Sequence, residues 1–229
     1  MAEKGFSERI LVGLTGEGND WKSKLEEINK YKINKIALFL ERFKMPERKE
    51  IYKALLTSKV KKIPLVHLRD DMERWELCFL VKNYGTTHFT IHEDHFKHLS
   101  KWKGFHKNLY LEMNADNHVP KDVKISKIGG FCVDFSHFKI QEERFLKEFE
   151  YIVKRKNTKR YFGCNHINGY SYKKNTDLHT VRNLKEFEYL KTLPKFLFSN
   201  IIGMETENSI REQLKFKKHV TKILTKAFK

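Results

Sequence analysis

Short apolar or β-branched runs alternate with longer amphipathic stretches along most of the chain. Ile10-Leu11-Val12-Gly13-Leu14 reads as a first strand. After a glycine-bearing loop, Asp20 is placed to cap a helix through Tyr31, with Trp21, Leu25 and Ile28 on its inward face. A second strand runs from Lys35 to Leu40 and ends at Glu41; the helix after it opens near Pro46 and reaches about Ser58. The alternation continues with a strand at Ile63–His67 and a helix at Met72–Asn83, then a strand at Thr87–His92 and a short helix around Phe96–Trp102. A fifth strand, Asn108–Glu112, is followed by a weak helical turn from Pro120. The sixth, Gly129–Asp134, precedes an amphipathic helix from Gln141 to Lys154. Tyr161–His166 is the seventh strand, with a polar loop before a helix from Leu184. Asn200–Glu205 is the eighth, and a helix from Ser209 to Ala227 closes the chain.

Eight strand–helix units imply parallel pairing with right-handed crossovers, and that number points to an α/β fold of the (β/α)8 TIM-barrel type. An open doubly wound sheet more often carries a glycine-rich phosphate loop after its first strand. Gly13-Leu14-Thr15-Gly16-Glu17-Gly18 matches neither dinucleotide nor P-loop spacing. With 229 residues, 40% of them hydrophobic, the chain suits a single barrel domain over 1–229.

Composition narrows the setting. No apolar run is long enough to span a membrane, and Met1 to Arg9 lacks the apolar core of a signal peptide. Cys78, Cys132 and Cys164 form no disulfide framework, and Cys132 and Cys164 read as small core residues. A reducing, cytoplasmic setting and a monomer are expected. The net charge of +17 favours a polyanionic partner, nucleic acid above all, although a lysine-rich proteome produces the same bias and the charge is spread along the whole chain.

The chemistry is expected where a barrel's strands end, because the loops converge there over the mouth. The strand tips read Glu41, His67, His92, Glu112, Asp134, His166 and Glu205; the loops add His137, Asp177 and His179. Imidazoles and carboxylates at one mouth suit a divalent metal such as zinc or manganese. Glu112 and Glu205 each end an apolar strand, where an unpaired carboxylate is costly, so a cation partner is expected. His88 and His92 share a face by the period of two, with His92 nearer the tip. His95, His98, His106 and His118 fall in helical or exposed contexts and read as solvated, and Glu41 and Glu207 read as ordinary loop charges.

The order His, His, Glu, Asp-x-x-His, His, Asp-x-His, Glu on successive strand ends resembles the endonuclease IV family of the xylose-isomerase-like barrels. The closest local matches are Asp134-Phe135-Ser136-His137, His166-Ile167-Asn168, Asp177-Leu178-His179 and Met204-Glu205-Thr206. The resemblance implies cleavage of DNA at abasic sites by three zinc ions. It implies that Glu112 bridges two metals, His67 and His92 completing the first site and Asp134, His166 and Glu205 the second, with His137, Asp177 and His179 holding the third. Catalysis would rest on Glu112, Glu205 and Asp134, with metal-activated hydroxide as the nucleophile. The chain departs from that family in its shorter loops and in Leu14-Thr15-Gly16, where a histidine usually ends the first strand. The alternative is a single-metal sugar or sugar-phosphate isomerase or epimerase, which needs only Glu112, Asp134, His166 and Glu205. A third reading is a nucleic-acid-binding barrel without catalysis.

Overall fold

The computed structural model describes residues 5–158 and 161–229. Met1 to Lys4, part of the stretch read for a leader, lie outside the described residues. Helix α1 (Phe6–Arg9) leads into β1 (Ile10–Leu11), β2 (Gly13–Leu14), α2 (Asp20–Lys30), β3 (Lys35–Phe39), α3 (Met45–Thr57), β4 (Lys62–His67), α4 (Arg74–Tyr84), β5 (His88–Ile91) and β6 (Leu109–Leu111). Then follow β7 (Gly130–Asp134), α5 (Phe135–Glu143), α6 (Lys147–Val153), β8 (Phe162–Ile167), β9 (Gly169–Ser171), β10 (Thr176–Leu178), β11 (Ile202–Met204) and α7 (Ile210–Ala227).

Nine strands form one parallel sheet in the order β1-β11-β8-β7-β6-β5-β4-β3-β2. Only Val12 separates β1, which pairs with β11, from β2, which pairs with β3. One crossing of the chain therefore joins both ends of the sheet, and counting it once gives the closed (β/α)8 barrel. The seam is tight at Gly13, where an added Cβ would lie 2.0 Å from the Met204 carbonyl oxygen. Only glycine lets the two backbones pass this closely.

The period of two along each strand sorts side chains between the barrel interior and the helical layer. Leu11, Ala37, Phe39, Leu65, Cys132 and Cys164 pack together inside, with Tyr110 and Ile201 beside them. Their neighbours in sequence, such as Ile36, Leu38, Val66 and Phe131, belong to the larger core under the helices. The next inward position above Leu65, Tyr110, Cys132 and Cys164 is His67, Glu112, Asp134 and His166 in turn. Packing in the barrel thus sets which tip residues face the mouth.

Several elements differ from the expectation. The helix expected from Gln141 to Lys154 is two helices. It starts earlier, at Phe135, because Asp134 Oδ1 accepts a 2.8 Å bond from the His137 amide and caps it. It stops at Glu143, where Phe145 adopts a left-handed backbone with φ 52°, and α6 starts afresh. The stretches after β5 and before β11 form 3-10 helices at Glu93–Trp102 and Leu184–Thr192; the single turn expected from Pro120 is closed by the Val123 amide on the Pro120 carbonyl, and a 3-10 turn follows at Ile125–Lys127. The polar loop after β8 contains the β9–β10 hairpin. Among the described residues no helix is long and apolar enough to cross a membrane.

At the far end of the barrel His88 stacks on Tyr110 with ring centroids 4.4 Å apart, and burial pushes its pKa down to about 4. The unfolded chain, with an ordinary histidine near 6.5, therefore takes up this proton first as pH falls. The folded state loses stability from about pH 6.5 down towards 4 and is unaffected by this group above that window. Urea denaturation should show a loss of roughly 1–2 kcal/mol between pH 7 and pH 5 that is attributable to His88. His88→Gln should flatten that part of the profile; an unchanged slope would remove His88 as its source.

Candidate metal centre

The central group is built by four inward tips. Ligand atoms of Glu112, Asp134, His166 and Glu205 lie within 4.8 Å of one another, and all four residues are buried. Two further groups meet the same criterion, His67 with His92 and Glu112, and His67 with His166 and Glu205, so Glu112, His67, His166 and Glu205 each belong to two. Glu112 Oε2 lies 3.0 Å from His67 Nε2 and 2.9 Å from His166 Nδ1. Glu205 Oε2 approaches the same His166 nitrogen at 3.1 Å.

These side chains are held from behind. Thr90 Oγ1 lies 3.3 Å from His166 Nε2, which turns the other ring nitrogen towards the carboxylates. Phe39 packs edge-on to the His166 ring, with centroids 5.0 Å apart. Asp134 Oδ1 accepts from Ser136 Oγ at 2.6 Å, and its Oδ2 accepts from Asn168 Nδ2 at 2.7 Å. Such supporting bonds fix the direction of a ligand's remaining lone pairs.

The electrostatics call for a cation. Burial alone would raise the pKa of Glu112; the charge of His166 and the bond from His67 hold it well below the usual carboxylate range. Burial raises Asp134 and Glu41. His67 is pushed up to about 9 against its burial, chiefly by Glu41 and Glu112. His92 is pushed down to about 4 by burial. Three buried ring nitrogens, the Nδ1 atoms of His92, His137 and His166, have no hydrogen-bond partner. For His166 this holds although the Glu112 and Glu205 oxygens lie 2.9 and 3.1 Å away. Orphaned nitrogens facing crowded carboxylates fit metal ligation better than hydrogen bonding, since a divalent ion satisfies both at once.

The nine sequence-derived ligands do not all converge. His67, His92, Glu112, Asp134, His166 and Glu205 form the three groups above. His137 Nδ1 lies 3.6 Å from Glu112 Oε1. Asp177 and His179 stand on and just past β10, paired with each other at 3.1 Å. The His179 bond holds Asp177 at about 2, and Asp177 in return helps raise His179 to about 9 against its burial. Among the described residues the third expected group, His137 with Asp177 and His179, does not close to ligand distances. A salt bridge between two of its members occupies the atoms that would ligate.

Two expectations are corrected. Glu41 is not an ordinary loop charge: its Oε2 is buried without a hydrogen-bond partner, 3.5 Å from His67 Nδ1. His95 is not solvated; it is buried behind His92, with ring centroids 5.9 Å apart. A cleft of about 430 Å³ lined by Glu41, Arg69, Asp70, His92, Asp94, His95 and Asn114 opens beside this group. Asn168 is fully buried and was not among the expected functional residues. The period of two from His166 is the signal that places it on the inward face.

No protein-family profile matches the chain, and no curated protein matches it. Among solved structures, the crystal structure of a D-tagatose 3-epimerase-like protein is similar to it, with a TM-score of 0.56 and 15% sequence identity over 95% of this chain and 98% of that one. At this identity the likeness establishes the fold: the chain is a (β/α)8 barrel of the same architecture as that protein.

Proposed function

We propose that the chain is a metal-dependent phosphodiester hydrolase that cleaves DNA at abasic sites. One observation carries this reading: three ligand groups overlap, with Glu112, His67, His166 and Glu205 each in two of them. A carboxylate shared in this way serves a multinuclear centre, and a single-metal enzyme has no use for His67 and His92 beside it. The residues that would hold metal are His67, His92, Glu112, Asp134, His166 and Glu205, which make up these overlapping groups. Bound there, divalent ions supply Lewis acidity, lowering the pKa of coordinated water and offsetting phosphate charge. The chain's own part is to keep Glu112 and Glu205 ionised in a buried setting, through the neighbouring His166 and His67. Asn168 and Ser136 fix the Asp134 carboxylate. Phe39 and Thr90 beneath the site keep the His166 ring from turning.

A second reading, a single-metal sugar or sugar-phosphate isomerase or epimerase, is favoured by a different observation. Glu112, Asp134, His166 and Glu205 form a four-ligand set without help from any other residue. There Glu112 and Glu205 would move protons at the carbons flanking a carbonyl. Elemental analysis of protein purified without added metal separates the two. Two or more equivalents of zinc, with incision of a duplex carrying one abasic site, is the expected result. About one equivalent of any metal and an intact duplex at low salt would replace the hydrolase with the isomerase.

A further inference from the structure

The closing helix carries a feature that the metal centre does not use. α7 holds six cationic side chains, Arg211, Lys215, Lys217, Lys218, Lys222 and Lys226, against the single carboxylate Glu212, which is engaged at the N-cap by Ser209. At 3.6 residues per turn, Arg211, Lys215, Lys218, Lys222 and Lys226 fall within an arc of about 80°. All five are exposed, and the opposite face, with Ile210, Gln213, Phe216, Val220 and Leu224, is buried. The stripe therefore points straight away from the barrel and runs roughly 22 Å along the helix axis.

Like charges at this spacing repel and weaken a helix by a few tenths of a kcal/mol per pair. Some lysines elsewhere are paired, Lys139 with Glu142 and Glu143, Lys154 with Glu150, and Lys191 with Glu188, and, among the described residues, the unpaired neighbours Lys49 and Lys53 on α3 make a shorter run than the α7 stripe. Among the described residues, none of the five stripe cations has a carboxylate within salt-bridge range. α7 also begins only a few residues after Glu205, so the stripe descends the flank from the rim of the metal centre.

We infer that the outer face of α7 is a binding surface for the phosphate backbone of double-stranded DNA. An uninterrupted row of flexible lysines offers point charges without bidentate geometry, which suits a repeating polyanion read without sequence. The surface does not depend on the metal groups, so binding is measured with chelator present and without turnover.

The experiment follows the fluorescence anisotropy of a labelled duplex over a range of salt concentrations, for wild type and for the triple variant Lys215→Gln/Lys218→Gln/Lys222→Gln. The plot of log affinity against log salt should become shallower by roughly 2 to 3, close to 0.9 per lost phosphate contact, with affinity at 50 mM salt falling roughly ten-fold or more. The exposed control Lys49→Gln/Lys53→Gln/Lys59→Gln removes the same charge from another flank and should leave the slope near wild type. An unchanged slope in the α7 variant, or an equal fall in the control, overturns the assignment. So does a loss confined to phosphatidylserine vesicles with duplex binding intact. Failure of the hydrolase reading would show separately, as stripe-dependent binding by a wild-type protein that leaves abasic DNA uncut.

Discussion

Glu112→Gln is expected to empty the two metal groups that contain it and to lower incision of abasic DNA by at least about a thousand-fold. The size follows from position. The Glu112 carboxylate lies between His67 and His166, and it is the shared ligand that supplies negative charge to both the His92 group and the four-ligand group. Glutamine keeps the volume and the packing but removes the charge that offsets the surrounding imidazoles. His92→Ala should differ in kind, reducing bound metal by the His92 group alone while the four-ligand group keeps its ion. Elemental analysis of the two variants beside wild type gives the comparison. Equal metal loss in both would mean that the two groups are one site.

Arg48→Ala is expected to destabilise the fold by about 3–5 kcal/mol, read as a fall in the urea midpoint at an unchanged slope. Arg48 and Glu76 are completely buried, joined at 2.8 and 3.0 Å through two guanidinium nitrogens, and Tyr52 donates to the same carboxylate at 2.7 Å. Removing the arginine leaves Glu76 charged in an apolar seam between α3 and α4. Replacing both partners with apolar side chains, as in Arg48→Met/Glu76→Leu, should be milder than the single change because no charge is stranded. Arg48 Nη1 also donates to the Phe43 carbonyl and to Asp71, tying down the loops that follow Glu41 and His67. The single variant should therefore lose metal affinity before it unfolds.

Much of the barrel is legible in the sequence because its strands are short apolar runs with clear breaks, and their inward period of two continues into the tip residues. That continuity is why His67, Glu112, Asp134 and His166 can be found by reading where each run ends. Boundaries are less legible where tertiary contacts override local preference. Asp134 caps α5 as well as facing the metal groups, which starts that helix six residues before its amphipathic pattern becomes clear. Phe145 breaks the same helix in a backbone conformation that phenylalanine seldom adopts, and no sequence rule anticipates it. Glu41 and His95 are misread for a related reason: both look like surface residues until the cleft beside His92 is assembled from four loops.

The hairpin of β9 and β10 belongs to a two-stranded sheet of its own, outside the barrel ladder. Asp177 and His179 therefore travel on an arm, while the other tip residues are locked to the barrel's register. The arm is nevertheless stitched to the loop after Glu205: the Glu207 amide donates to the His179 carbonyl, and Val181 and Asn208 exchange two hydrogen bonds. A shift of the arm is thereby passed to the backbone beside a central carboxylate, like a handle fixed to the part it turns.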